Sequence, residues 1–161
     1  MIDIAENPSK PETTDPRIPP RDQVVSRYLI DRWAKEQPEK VFLKFDDADH
    51  PTGGEEWTYA DFRELVIRAG LGFQALGVKQ GDHVLVWGPP GRDHTLIYFG
   101  LNYIGAVYVP INTAYRGNLL AHVFDVSDAK LAVVHAELCP RLTGVDLAQL
   151  EQVVVFGGDA E

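Results

Sequence analysis

The chain has 161 residues, 45% hydrophobic and 24% charged, an ordinary globular balance at about the length of one domain. Its 24 acidic and 15 basic side chains give a net charge of −9, which repels phosphate backbones and anionic lipid surfaces and so argues against nucleic acid as a partner. The lone cysteine, Cys139, rules out an internal disulfide framework and fits a reducing compartment.

The first residues, MIDIAENPSKPETTDPRIPPRD, have neither a basic start nor an apolar core, so they do not read as a signal peptide. Residues 1–21 hold Pro8, Pro11, Pro16, Pro19 and Pro20 among polar neighbours, a composition expected to form a flexible arm. The structured segment is expected to span 22–161. Asp22 is placed to cap a helix whose apolar positions Val25, Tyr28, Leu29 and Trp33 recur at helical spacing, with Pro38 as the stop. Val41–Phe45 reads as a strand, and 46–54 as a polar turn.

Thr58 opens the next helix, with Asp61 in the acid position of a capping box. Phe62, Leu65, Val66, Ala69, Phe73 and Leu76 form its apolar stripe, and Gly77 ends it. A strand follows at His83–Trp87, then Gly88-Pro89-Pro90-Gly91. The helix from about Arg92 to Ile104 is apolar nearly all round, which predicts burial on more than one side. Gly105 closes it before a strand at 106–111. A helix at 118–127 and a strand at 131–135 repeat the rhythm, followed by short helical stretches near 136–142 and 146–150 and a strand at 153–156. Apolar strands alternating with helices predict an α/β, three-layer fold: a mostly parallel sheet with helices on both faces. The longest apolar stretch, 96–111, is broken by Asn102, Gly100, Gly105 and Pro110 and falls short of the roughly 20 residues of a membrane span. A cytoplasmic protein with no membrane span is the expectation.

Several chemistries find no support. Ser9, Ser26 and Ser127 lie in no nucleophile elbow, and none of the five histidines sits in a metal-binding pattern. No metal ligand and no catalytic residue is assigned. Gly70-x-Gly72-x-x-Ala75 fits the dinucleotide fingerprint formally but lies within a helix, where small residues serve close packing. The 88–91 turn stands between strand and helix, where anions can meet free backbone N–H groups; its two prolines remove two donors and favour a plain turn. Cys139 reads as an inert small hydrophobe. Glu55 and Glu56 read as solvated loop charges.

Two strings are more specific: Trp57-Thr58-Tyr59-Ala60-Asp61-Phe62, and the run from Gly100 through Ile104-Gly105-Ala106 to Pro110-Ile111-Asn112. With the linking stretch from Leu76 to Val84, they resemble the first core motifs of the adenylate-forming (AMP-binding) acyl-CoA synthetase and ligase superfamily. The Pro-Ile-Asn ending looks most like the CoA ligases, including the carnitine-type enzymes. The resemblance covers about 22–161, with one departure: Pro90 stands where many relatives carry Asn.

This resemblance implies an N-terminal, truncated part of a larger ligase domain. The whole enzyme would use ATP, Mg²⁺ and CoA to convert a carboxylate, through an acyl-adenylate, into an acyl-CoA with release of AMP and pyrophosphate. The phosphate loop, the adenylate-binding motifs and the catalytic lysine of such enzymes are not among these 161 residues, so the chain alone is expected to be inactive, with no ATP, Mg²⁺ or CoA bound to it. From its place after the carboxyl end of a buried strand, where α/β sheets bind ligands, the loop Asn112, Thr113, Ala114 and Tyr115 is the expected contact for CoA or substrate, and Arg141 is expected to pair with a CoA phosphate, which a guanidinium suits. The remainder of such a ligase chain is the implied partner, and surface left uncovered without it predicts a homo-oligomer. The alternative is a non-catalytic binding or interaction module reusing the fold.

Overall fold

The computed structural model describes residues 25–46 and 54–158. The expected arm at 1–21, the Asp22 cap and most of the 46–54 turn fall outside those residues.

Helix α1 (Ser26–Glu36) leads into an antiparallel hairpin of β1 (Val41–Phe45) and β2 (Glu55–Thr58). Then come α2 (Tyr59–Ala75), β3 (His83–Trp87), α3 (Arg92–Tyr103), β4 (Val107–Pro110), α4 (Gly117–Val126) and β5 (Leu131–His135), a 3-10 segment at Ala136–Leu142, and β6 (Gln152–Phe156). Strands β3 to β6 form one sheet in the order β4-β3-β5-β6, every pair parallel.

The side-chain period of two sorts the sheet's residues onto two buried faces. Val84, Val86 and Val133 meet Phe73 of α2 and Ile97 and Leu101 of α3. Leu85, Trp87, Ala132 and Val134 meet Leu120 and Phe124 of α4 and Leu138 of the 3-10 segment. The expected three layers are therefore present, with α2 and α3 on the first face and α4 on the second.

Helices α2 and α3 approach closely at Gly70 and Gly100. A β-carbon on Gly100 would stand 2.8 Å from Ala69 Cβ and 3.1 Å from the Gly70 nitrogen. Of the GxGxxA string, Gly70 thus serves helix packing, whereas Gly72 and Ala75 are exposed and Gly72 has no neighbour where a β-carbon would stand. Both helices end alike. The N–H of Val78 donates to the Phe73 carbonyl (3.0 Å) and that of Gly77 to Gln74 (2.9 Å); Ala106 and Gly105 repeat this on Leu101 (2.9 Å) and Asn102 (3.1 Å). Each motif needs a left-handed residue, supplied by Gly77 and Gly105 at φ 90° and 78°.

A third cluster joins Ile30, Trp57, Phe62 and Val66 to the outer side of α3 through Leu96, Phe99 and Tyr103. Helix α3 is accordingly packed on two sides. Asp31 fastens the three helices, accepting from Arg63 Nε (2.6 Å) and the Tyr103 hydroxyl (2.9 Å). The Thr58–Asp61 capping box is present, and its bonds to Thr58 hold the Asp61 carboxyl below the usual range.

Four sequence expectations change. Glu55 and Glu56 belong to β2, where Glu56 pairs with Lys44 across the hairpin and Glu55 with Arg92 (3.1 Å). Residues 146–150 form a turn, with the Ala148 N–H on Asp146 Oδ1 (3.0 Å), because that local bond competes with helix formation. In α1 the buried residue is Ile30, while Val25 and Tyr28 are exposed; Val25 holds the N-cap position with no side-chain bond. Leu76 at the end of α2 is also exposed, since the chain turns away there at Gly77.

Candidate ligand-binding edge of the sheet

Adjacent parallel strands whose connections leave toward opposite faces open a crevice at their carboxyl ends, the usual ligand position in α/β sheets. Here β3 runs into the 88–91 turn and α3 on the first face, whereas β4 runs into residues 111–116 and α4 on the second. The expected contacts Asn112, Thr113, Ala114 and Tyr115 all lie at this edge.

Their backbone is held from both sides. The Ile111 N–H donates to Val86 (3.0 Å), and the indole N–H of fully buried Trp87 donates to the Asn112 carbonyl (3.1 Å). Asn112 then gathers the following amides: its Oδ1 accepts from Ala114 N–H (2.9 Å) and its carbonyl from Tyr115 N–H (3.0 Å). The carbonyls turn the other way. Arg116 Nη1 donates to those of Thr113 (3.2 Å), Ala114 (3.0 Å) and Tyr115 (3.0 Å), and Arg141 Nη1 donates to Thr113 (2.8 Å).

The structure thus brings Arg141, twenty-five positions beyond Arg116, onto the predicted loop. Tyr115 packs partly buried against the second face. Asn112 and the Ala114 amide are engaged within the loop. The Thr113 hydroxyl has no partner among the described residues, and neither Arg116 nor Arg141 forms an ion pair there. Arg116 was not singled out by the sequence, because a side chain folding back on its own preceding carbonyls has no spacing signature.

On the opposite rim, His94 in the first turn of α3 places Nε2 2.5 Å from the Tyr108 hydroxyl. Its Nδ1 is buried with no hydrogen-bond partner among the described residues. Burial holds the imidazole below its ordinary 6.5, with the carbonyls of Pro89 and Gly88 pulling weakly the other way. Those carbonyls are near enough to act electrostatically yet outside bonding geometry. Burial, then Tyr98, raises the Tyr108 phenol.

The 88–91 turn itself is closed by Thr95, whose amide (3.0 Å) and hydroxyl (2.8 Å) both donate to the Gly91 carbonyl. Arg92 is engaged by Glu55 and Asp93, which raise its pKa. Cys139 is half-buried on the second face, its Sγ 3.6 Å from the His135 carbonyl. Among the described residues no group of three or more His, Cys, Asp and Glu side chains is placed to hold a metal ion, and no helix is long and apolar enough to cross a membrane.

The profile of the family described as AMP-binding enzyme matches residues 30–159. An acetyl-coenzyme A synthetase of Bacillus subtilis is 32% identical over 82% of this chain and 23% of its own length. A crotonobetaine/carnitine–CoA ligase of Proteus mirabilis is 30% identical over 71% of this chain and 22% of its own. The crystal structure of a long-chain-fatty-acid–CoA ligase from Archaeoglobus fulgidus superposes with a TM-score of 0.75 and 28% identity, over 85% of this chain and 28% of that one. The chain spans less than a quarter of the length of the two curated relatives. A match over 30–159, in a chain whose parallel sheet superposes on a solved CoA ligase, places this protein in the AMP-binding enzyme family.

Proposed function

We propose that these residues serve as the N-terminal part of an ATP-dependent acyl-CoA synthetase, one that joins a carboxylate to CoA through an acyl-adenylate. The observation that carries this is the meeting of the 112–115 loop with Arg141 at the carboxyl end of the sheet, in a chain of this family. Relatives named for acetate, for carnitine and for long-chain fatty acids all match, which points to carboxylic acids as a class.

CoA suits this edge. Arg141 has further guanidinium N–H groups beyond the one on the Thr113 carbonyl, in a planar fork that matches phosphate oxygens. ATP and Mg²⁺ do not fit these residues. The 88–91 turn has two prolines without N–H groups, and Arg92 is engaged by carboxylates. No step through ATP is assigned to this chain, which by itself has no adenylation activity.

Carboxylate-dependent exchange of pyrophosphate into ATP tests this directly. Purified protein is expected to match the protein-free control, and exchange above it would overturn the assignment. Titration with CoA is expected to shift amide resonances at 113–116 and the Arg141 side chain; a titration that moved none of them would count against the CoA role. Self-association belongs to the same reading. The outer edge of β6 is unpaired among the described residues and Val153 and Val155 are exposed beside it, so light scattering should show species above the monomer as concentration rises.

A further inference from the structure

We infer that Arg116 and Arg141 are positioning residues that fix the 112–115 loop as a rigid edge of the crevice by binding its carbonyl row. This rests on the proposed reading only in taking that loop as the ligand-contacting segment.

The loop divides its backbone groups by direction. Asn112 collects the amides of Ala114 and Tyr115 on one side, and two guanidinium groups collect the carbonyls of Thr113, Ala114 and Tyr115 on the other. The Thr113 oxygen accepts from both arginines. Two cations on one acceptor repel each other, so this arrangement persists only if the loop's carbonyl field outweighs that repulsion.

A second observation concerns helix α4. Arg116 is its N-cap residue, in extended backbone at φ −150° and ψ 156°, with no side-chain bond to the helix and no acid in the first turn. The amino end of a helix carries partial positive charge and favours Ser, Thr, Asp or Asn at that place. A cation there is misplaced for the helix. It is well placed for the carbonyls immediately before it, so the residue type at 116 follows the loop's requirement against that of α4.

The opposed requirements give a test with opposite signs. In Arg116→Ser the hydroxyl can cap α4, so global stability by urea unfolding should be unchanged or higher than in the parent chain. Amide exchange at Ala114 and Tyr115, followed by NMR on the full chain, should nevertheless rise about tenfold, as expected for losing a charged hydrogen-bond donor to the local structure. The Trp87 indole N–H signal should move, because its acceptor belongs to the same loop. Arg141→Gln should loosen the same amides, and Arg141→Lys should restore part of the protection by keeping a charged donor.

Loop amides as protected in both Arg116→Ser and Arg141→Gln as in the parent would overturn the assignment. So would exchange that quickens equally in β3 and β5, since that pattern reports global destabilisation. The ligase reading is judged separately by the CoA titration: a firm clamp with no CoA response would leave the positioning role standing and remove the CoA role.

Discussion

The two faces of the four-stranded sheet are built on different terms. On the first, α2 and α3 cross with glycine against glycine, and each ends in the same glycine-closed motif. On the second, the single helix α4 passes from Ser127 to Asp128, which takes the left-handed conformation (φ 54°) despite its β-carbon. An open groove of about 440 Å³ lies between α4 and the 146–150 turn, lined in part by Ala121, His122, Asp125 and Leu150. The second face carries Arg116, Arg141 and the candidate loop. Glycine-to-glycine packing of two helices suits a scaffold, while a face covered by one helix leaves its edge to loop segments that can meet a ligand.

This contrast is breakable by mutation. The largest effect is expected for Leu120→Ala, which deletes a fully buried side chain of α4 and should lower stability by about 3 kcal/mol in urea unfolding. Gly100→Ala adds one methyl group at the α2–α3 crossing and should lower it by about 2 kcal/mol, because its contacts are backbone and a short side chain that cannot swing away. A loss under about 0.5 kcal/mol there, within the range of ordinary surface changes, would show that the crossing tolerates an added methyl group.

A smaller effect, located on the first face alone, follows from His94. Its folded pKa lies below the ordinary 6.5, so the unfolded chain takes up this proton first as pH falls. Its contribution is therefore full above about pH 6.5 and declines as pH falls through the window between the unfolded and the lower folded value. Subtracting a His94→Phe stability–pH curve from the parent curve should isolate that decline; parallel curves from pH 7 to pH 5 would refute it. The smallest effect is a gain. Asp128→Gly removes the strained β-carbon after α4 and should raise stability by about 0.5 kcal/mol, and a loss would mean that the aspartate holds something in place there.

Alternation of apolar strands with helices was legible in the sequence, and so were the capping box at Thr58 and the glycine stops at 77 and 105. The order β4-β3-β5-β6 was not, because runs such as Val84–Trp87 and Leu131–Val134 are apolar on both sides and carry no mark of which neighbour they take. Strand β2 was hidden by its two glutamates, whose partners Lys44 and Arg92 lie far off in sequence. The position of Asn112–Tyr115 after a strand's carboxyl end was legible from the strand–helix rhythm, and Arg141 was singled out as an arginine suited to phosphate. Its bond to the Thr113 carbonyl was not, since main-chain acceptors leave no trace in residue identity. His94 shows the same limit: a lone histidine in a helix reads alike whether its ring is solvated or enclosed.

The order of the strands also sets a timetable. Strand β3 pairs first in sequence with β4, yet its other side waits for β5, which is made only after α4. During synthesis from the amino end, the hydrogen-bonding edge of Val84–Trp87 therefore stands open while more than forty further residues are added. Closing so long a loop is slow compared with forming local helices, so the middle of the finished sheet is the exposed margin of the growing one. A chaperone that binds extended apolar segments would find its strongest purchase there, on residues that are wholly buried once Leu131–His135 arrives.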